Sequence, residues 1–127
     1  MSVILVVEDD TDTRQAVGEI LTTLFPECRV LMTESGEAGL ELIRRTRPDV
    51  VLLDLRLRGI DGFEFAERVR LLGEGHSVPI VALTGDMTPA TLMRAERAGF
   101  AAFLRKPADI DRLETVLRPM LDAVGHG

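Results

Sequence analysis

Apolar and polar positions along this chain change their period several times, and the changes mark out its elements. Val3 to Val7 is an unbroken apolar run that stops at Glu8, Asp9 and Asp10, and Val50 to Leu53 stops as abruptly at Asp54. Continuous apolar runs of this length read as strands buried on both faces, as in a parallel sheet covered by helices on each side. Arg29–Thr33, Ile80–Leu83 and Ala102–Leu104 read as three further strands. Between them the period lengthens to that of a helix. Val17, Ile20, Leu21 and Leu24 share one stripe of a helix over 11–25 that Pro26 closes. Ser35 is an N-cap for a helix that turns Ala38, Leu42 and Ile43 inward and ends before Pro48. A third helix covers 62–72, and residues 73–79 break it. Thr88-Pro89 is a cap followed by proline in the first turn, opening a helix that Gly99 ends. The last helix, from Asp109, places Ile110, Leu113, Leu117, Met120 and Leu121 on one face.

Strands alternating with helices predict an α/β fold, a single domain over residues 1–122 with a tail at 123–127, built on a doubly wound parallel sheet with right-handed crossovers. Residues that follow the strands then share one edge. With strand order 2-1-3-4-5, the point where the order reverses lies between the first and third strands, which brings Glu8, Asp9 and Asp54 together. Two carboxylates about 4 Å apart repel by roughly 4 kcal/mol at an effective dielectric near 20, so this cluster calls for a cation or a shared proton. Thr84 after the fourth strand and Lys106 after the fifth add a hydroxyl and an ammonium to the same edge. Oxygen-only donors suit Mg²⁺ better than Zn²⁺. A hard cation with Lys106 and Thr84 opposite is a receptor for a dianionic phosphoryl group, and the Asp54 carboxylate is its nucleophile.

Composition narrows the function classes. A formal charge of -6 argues against a direct nucleic-acid surface. Cys28 stands alone, so no disulfide framework or cysteine zinc site is expected. The N-terminal apolar run is short, lacks a basic flank and ends in acids, unlike a signal peptide or a membrane span. A cytoplasmic protein that touches no membrane is the expectation.

The order Val-Val-Glu8-Asp9-Asp10, Leu-Leu-Asp54 with Gly59-x-Asp61-Gly62 downstream, Leu83-Thr84-Gly85 and Phe103-Leu-x-Lys106-Pro107 resembles the receiver domain of two-component response regulators, the CheY-like superfamily. The resemblance spans nearly the whole chain and implies the flavodoxin-like (βα)5 fold; the strand order above is taken partly from it. It implies that Glu8, Asp9 and Asp54, with the backbone carbonyl of Arg56, hold Mg²⁺. Asp54 then accepts a phosphoryl group from a histidine kinase or histidine phosphotransfer protein, and Thr84 and Lys106 bind the group. Thr84 and Phe103 form the switch that changes the face of the fourth helix, fifth strand and fifth helix. That face carries Arg94, Arg97, Arg105 and Arg112 and addresses a downstream protein, an output domain or a second copy in a phosphorylation-dependent dimer. Such a protein is no enzyme beyond its own phosphotransfer and dephosphorylation.

Arg56 and Asp86 flank the phosphoryl position in the family and are read as a pair that slows phosphate loss. Two positions depart from the family pattern. Arg58 replaces the usual proline, predicting a less rigid loop. Phe103 stands where tyrosine is frequent, so its ring signals by position alone. An aspartyl phosphohydrolase is a competing class, but the acid it wants two residues after the nucleophile is Arg56. A flavin module on this fold would need a phosphate cradle where Glu8-Asp9-Asp10 stands. The length leaves no room for an output domain, so the expectation is a stand-alone regulator or a receiver excised from a larger chain.

Overall fold

A computed structural model describes residues 1–125. Five strands, β1 (Val3–Val7), β2 (Arg29–Thr33), β3 (Val50–Asp54), β4 (Ile80–Thr84) and β5 (Ala102–Arg105), alternate with five helices, α1 (Thr11–Leu24), α2 (Gly36–Thr46), α3 (Gly62–Leu71), α4 (Pro89–Arg97) and α5 (Ile110–Gly125). All strand pairs are parallel, in the order β2-β1-β3-β4-β5. Successive side chains in a strand point to opposite faces, so each strand serves two cores. Leu5, Val7, Val51, Leu53 and Ala82 face Ile43, Phe65, Val69 and Ala95 of α2, α3 and α4. Ile4, Val6, Val50, Leu52, Val81 and Leu83 face Val17, Leu21, Leu113, Leu117 and Leu121 of α1 and α5. Every residue of β3 and β4 is buried, which is why their runs show no polar alternation. Each fully buried aliphatic side chain contributes about 1.5 to 3 kcal/mol, so these central strands fix the frame on which the edge residues sit.

Polar side chains set the helix starts: Asp10, Ser35, Asp61 and Thr88 each accept the backbone N–H three residues on.

Some expectations need correcting. Ala38 is exposed, and the inward face of α2 is Gly36, Gly39 and Ile43, with Leu40 and Leu42 packed at its margin. A Cβ on Gly36 would lie 2.5 Å from Ile60 Cγ1, and one on Gly39 would lie 3.0 Å from Phe65 Cε2 and Val7 Cγ2. The helix packs by close backbone approach, which a hydrophobic count misses. Ile110 is 53% exposed. It is the first residue of α5 and lies beside Ile20 and Leu24 at the rim of α1, a turn before the buried stripe begins at Leu113. The 73–79 break contains a short 3-10 turn, Glu74–His76. Helix α5 runs to Gly125, into the segment expected as a tail, and residues 126–127 lie outside the described residues. Among the described residues no helix is long and apolar enough to cross a membrane.

Candidate functional site

The three acids that follow β1 have three different fates. Asp10 is exposed and caps α1: its Oδ2 accepts the Thr13 N–H at 2.8 Å and the Thr13 hydroxyl at 2.7 Å. Those bonds, the backbone one first, hold its carboxyl below the ordinary value of 3.8. Asp9 is half-buried and points toward the loop after β3, and Glu8 is 1% exposed and points into the crevice. Asp54 ends β3 opposite Leu83 of β4, 6% exposed. One carboxylate oxygen from each of Glu8, Asp9 and Asp54 lies within 4.8 Å of the others. The sheet order thus brings together the acids that the apolar runs pointed to.

Cations of the chain hold this cluster. Lys106 follows β5, and its N–H donates to the Thr84 carbonyl at 2.9 Å, which extends the ladder past the strand ends. Its ammonium stands 2.7 Å from Glu8 Oε1 and 3.4 Å from Asp54 Oδ2. Asp54 Oδ1 accepts the Arg56 N–H at 3.1 Å. Asp9 Oδ2 accepts the Arg58 N–H at 3.1 Å and has the Arg58 Nε at 3.5 Å. Burial pushes the Glu8 carboxyl above its ordinary value of 4.5; Lys106 pulls the other way, and Asp54 adds to the rise. Burial alone would lower the Lys106 ammonium, but the bond to Glu8 and the charge of Asp54 win and raise it above 10.5. The two directions differ in cause: burial outweighs the ammonium at Glu8, whereas two carboxylate partners outweigh burial at Lys106.

The donor set fits a hard divalent cation. It offers carboxylate oxygens alone, and among the described residues no other cluster of three such groups meets. Glu8 Oε1 is buried with no hydrogen-bond partner, and the Lys106 ammonium is 2.7 Å from it.

Thr84 is 2% exposed, and its hydroxyl accepts the Asp86 N–H at 3.0 Å. Arg56 Nη2 is 3.3 Å from Asp86 Oδ2, so the two residues read as a pair do meet. The sequence reading missed that Asp86 also accepts the Thr88 N–H at 3.1 Å and the Thr91 hydroxyl at 2.8 Å. With the Thr88 bond leading, its carboxyl is held at about 2. Phe103, opposite Ala82, is half-buried and lines a cleft with Met87, Pro107 and Arg112. The Lys106-Pro107 bond is cis. Arg94, Arg97, Arg105 and Arg112 are all exposed, but the Arg94 guanidinium lies 3.9 Å over the Phe63 ring and so turns toward α3. The Arg58–Asp9 contact was also missed; the only signal for it was the absent proline. In the loop after β3, Leu57 and Ile60 are buried and the Gly62 N–H bonds the Leu55 carbonyl.

A five-stranded doubly wound sheet with acids at the switch point and Thr84 and Lys106 alongside is a receiver-type architecture. Residues 4–118 match the family model described as the response regulator receiver domain, and the chain belongs to that family. It is 35% identical over 121 residues to the transcriptional regulatory protein AfsQ1 of Streptomyces coelicolor, which covers 95% of this chain and 52% of AfsQ1. It is 26% identical to sporulation initiation phosphotransferase F of Bacillus subtilis, covering 93% of this chain and 92% of that protein. The chain therefore spans about half of one relative and nearly all of the other. Among solved structures, the receiver domain of sensor histidine kinase PA1611 from Pseudomonas aeruginosa, with a magnesium ion coordinated in its active-site cleft, superposes with a TM-score of 0.85. The identity is 28%, with 95% of this chain and 98% of that one covered.

Proposed function

We propose that this receiver domain is a cytoplasmic phosphorylation-activated switch in which Asp54 takes a phosphoryl group from a histidine kinase or histidine phosphotransfer protein in a Mg²⁺-dependent reaction. The observation that carries the reading is the meeting of Glu8, Asp9 and Asp54 within 4.8 Å, with Lys106 on two of them. Glu8, Asp9, Asp54 and the Arg56 backbone carbonyl would hold Mg²⁺, as the magnesium reported for the Pseudomonas relative supports. Bound there, the ion supplies positive charge to the phosphoryl oxygens as they approach the acids.

The chemistry of the side chains follows. An Asp54 oxygen attacks phosphorus, the new O–P bond forms as the P–N bond to the donor imidazole breaks, and the leaving nitrogen keeps the electron pair and takes a proton from water. Lys106 is already 3.4 Å from Asp54, and its ammonium donates a hydrogen bond to a phosphoryl oxygen. Thr84, whose hydroxyl now accepts from Asp86, donates to another oxygen. Phosphorylation adds roughly -1.5 to -2 charges, and two charge-assisted hydrogen bonds at about 1.5 to 3 kcal/mol each approach the about 5.5 kcal/mol that swings a two-state equilibrium from 1:99 to 99:1. Movement of Thr84 toward the phosphoryl group opens space for the Phe103 ring, and the α4-β5-α5 face changes for a downstream protein, an output domain or a second copy. No turnover of an outside substrate is part of this reading.

The test is incubation with acetyl phosphate, with and without Mg²⁺, followed by intact mass. One phosphoryl group gained only with Mg²⁺ is expected; no gain overturns the reading. Arg56 and Asp86, paired at the mouth, would hinder attacking water. Either alanine variant is then expected to lose phosphate about threefold to tenfold faster, since lowering the barrier to attacking water by about 1 kcal/mol changes a rate about fivefold. An unchanged dephosphorylation rate would remove this role.

A further inference from the structure

Asp9 carries a counter-ion that its position in the fold does not require. Its Oδ2 accepts the Arg58 N–H at 3.1 Å, and the Arg58 Nε is 3.5 Å from the same oxygen. The backbone half of this contact is preset. Leu57, 6% exposed, and Ile60, 7% exposed, bury their side chains on either side of Arg58, and Ile60 packs where Gly36 leaves room for it. A proline at this position would have no N–H to give and no charge. The guanidinium half is free to leave, because the Arg58 side chain is 90% exposed.

With Lys106 on Glu8 and Asp54, and Arg58 on Asp9, each of the three clustered carboxylates has a cation of the chain within 3.5 Å. A divalent ion entering the cluster must take the place of that charge. Lys106 has a second use at the phosphoryl group, whereas Arg58 has no partner other than Asp9 among the ion pairs of the described residues. We infer that Arg58 is a competitor for the metal site. Its guanidinium neutralises Asp9 in the metal-free protein and is displaced from it on Mg²⁺ uptake, so that it sets the affinity for the ion and the Mg²⁺ concentration at which the domain becomes competent. This rests on the metal reading above.

Isothermal titration with MgCl₂ at low ionic strength tests it on wild type, Arg58→Ala, Arg58→Lys and Arg58→Pro. Arg58→Ala keeps the N–H and loses the charge, and is expected to bind Mg²⁺ more tightly by up to about fivefold, the upper end of what an exposed ion pair contributes. Arg58→Pro, which loses both contacts, should bind at least as tightly as Arg58→Ala, and Arg58→Lys should stay near wild type. The gap between wild type and Arg58→Ala should shrink as salt is raised, because an exposed charge is screened. In wild type the Arg58 Nε–H NMR signal should shift during the titration. Wild-type uptake with an unchanged or weaker Arg58→Ala affinity overturns the role of Arg58 and leaves the metal reading standing. No Mg²⁺ uptake by either protein overturns both. Far-UV circular dichroism of each variant shows that fold loss is not the cause.

Discussion

Asp54→Asn protein is expected to gain no phosphoryl group from acetyl phosphate and Mg²⁺, and to be more stable than wild type by about 1 to 2 kcal/mol in EDTA. The first result follows from nucleophilicity: the carboxamide has no oxygen anion to form the O–P bond. The second follows from charge. Asp54 is 6% exposed and shares a space of 4.8 Å with two other carboxylates, while Lys106 is the one ammonium within reach. At an effective dielectric near 20 a carboxylate pair about 4 Å apart costs roughly 4 kcal/mol, of which the ammonium offsets a part. Asparagine removes that repulsion, keeps the volume and retains an oxygen for the Arg56 N–H that Oδ1 now accepts. Saturating Mg²⁺ should reverse the order, because an ion at 100 times its dissociation constant stabilises wild type by about 2.7 kcal/mol and the variant much less. Urea unfolding followed by circular dichroism, with and without Mg²⁺, reads the second result, and intact mass reads the first. Equal stability in EDTA would mean the three acids do not repel, and phosphoryl uptake by the variant would place the acceptor elsewhere.

The frame of this molecule was legible wherever a run of apolar residues ended sharply. β1 and β3 announced themselves because both faces are buried, and their ends at Glu8 and Asp54 fixed where the site lies. Caps were legible because Asp10, Ser35, Asp61 and Thr88 are residues whose side chains bond a backbone N–H in the first turn. What the pattern misplaced was packing that involves no side chain. Gly36 and Gly39 are buried where a side chain would meet Ile60, Phe65 and Val7, yet glycine counts as neither apolar nor polar, and the reading drew Ala38 inward in their place. Ile110 was misread for the opposite reason: the helical stripe continues past the point where there is still a partner to pack on.

At the site, strand order carries more information than residue type. Glu8, Asp9 and Asp54 are brought together by the β2-β1-β3 neighbourhood alone, and Lys106 by the register that sets Thr84 opposite Arg105. Partner choice among exposed charges was beyond a linear reading. Nothing in the string distinguishes Arg56, which pairs with Asp86, from Arg94, which lies over Phe63, because long flexible side chains take whichever anion or ring the fold puts in range. Thr91 was invisible for the same reason. Its hydroxyl matters only because the first turn of α4 faces Asp86.

Lys106→Met should give the largest loss of stability among single changes at the site, about 3 kcal/mol in EDTA. Breaking a buried ion pair costs about 3 to 5 kcal/mol, and the low end applies because the Lys106 side chain is 25% exposed and reached by solvent. Methionine preserves the apolar stem, so the loss reports charge and not packing. The variant should also respond to pH with a definite sign. The folded Glu8 carboxyl already binds its proton more tightly than its ordinary value of 4.5, and burial is the leading cause. Between that value and the raised one the folded state holds more protons than the unfolded state, so stability falls as pH rises through this window and returns as pH drops. Without the ammonium, which is the chief opposing influence, the window widens upward, and the variant should regain stability as pH falls toward 4.5. Glu8→Gln in the same chain should remove the pH dependence, and Mg²⁺ should restore stability at neutral pH by supplying the missing charge. Urea midpoints from pH 5 to pH 8 for the single and double variants measure all of this. A Lys106→Met protein as stable as wild type in EDTA at neutral pH would show that the ammonium does not neutralise the acids it touches.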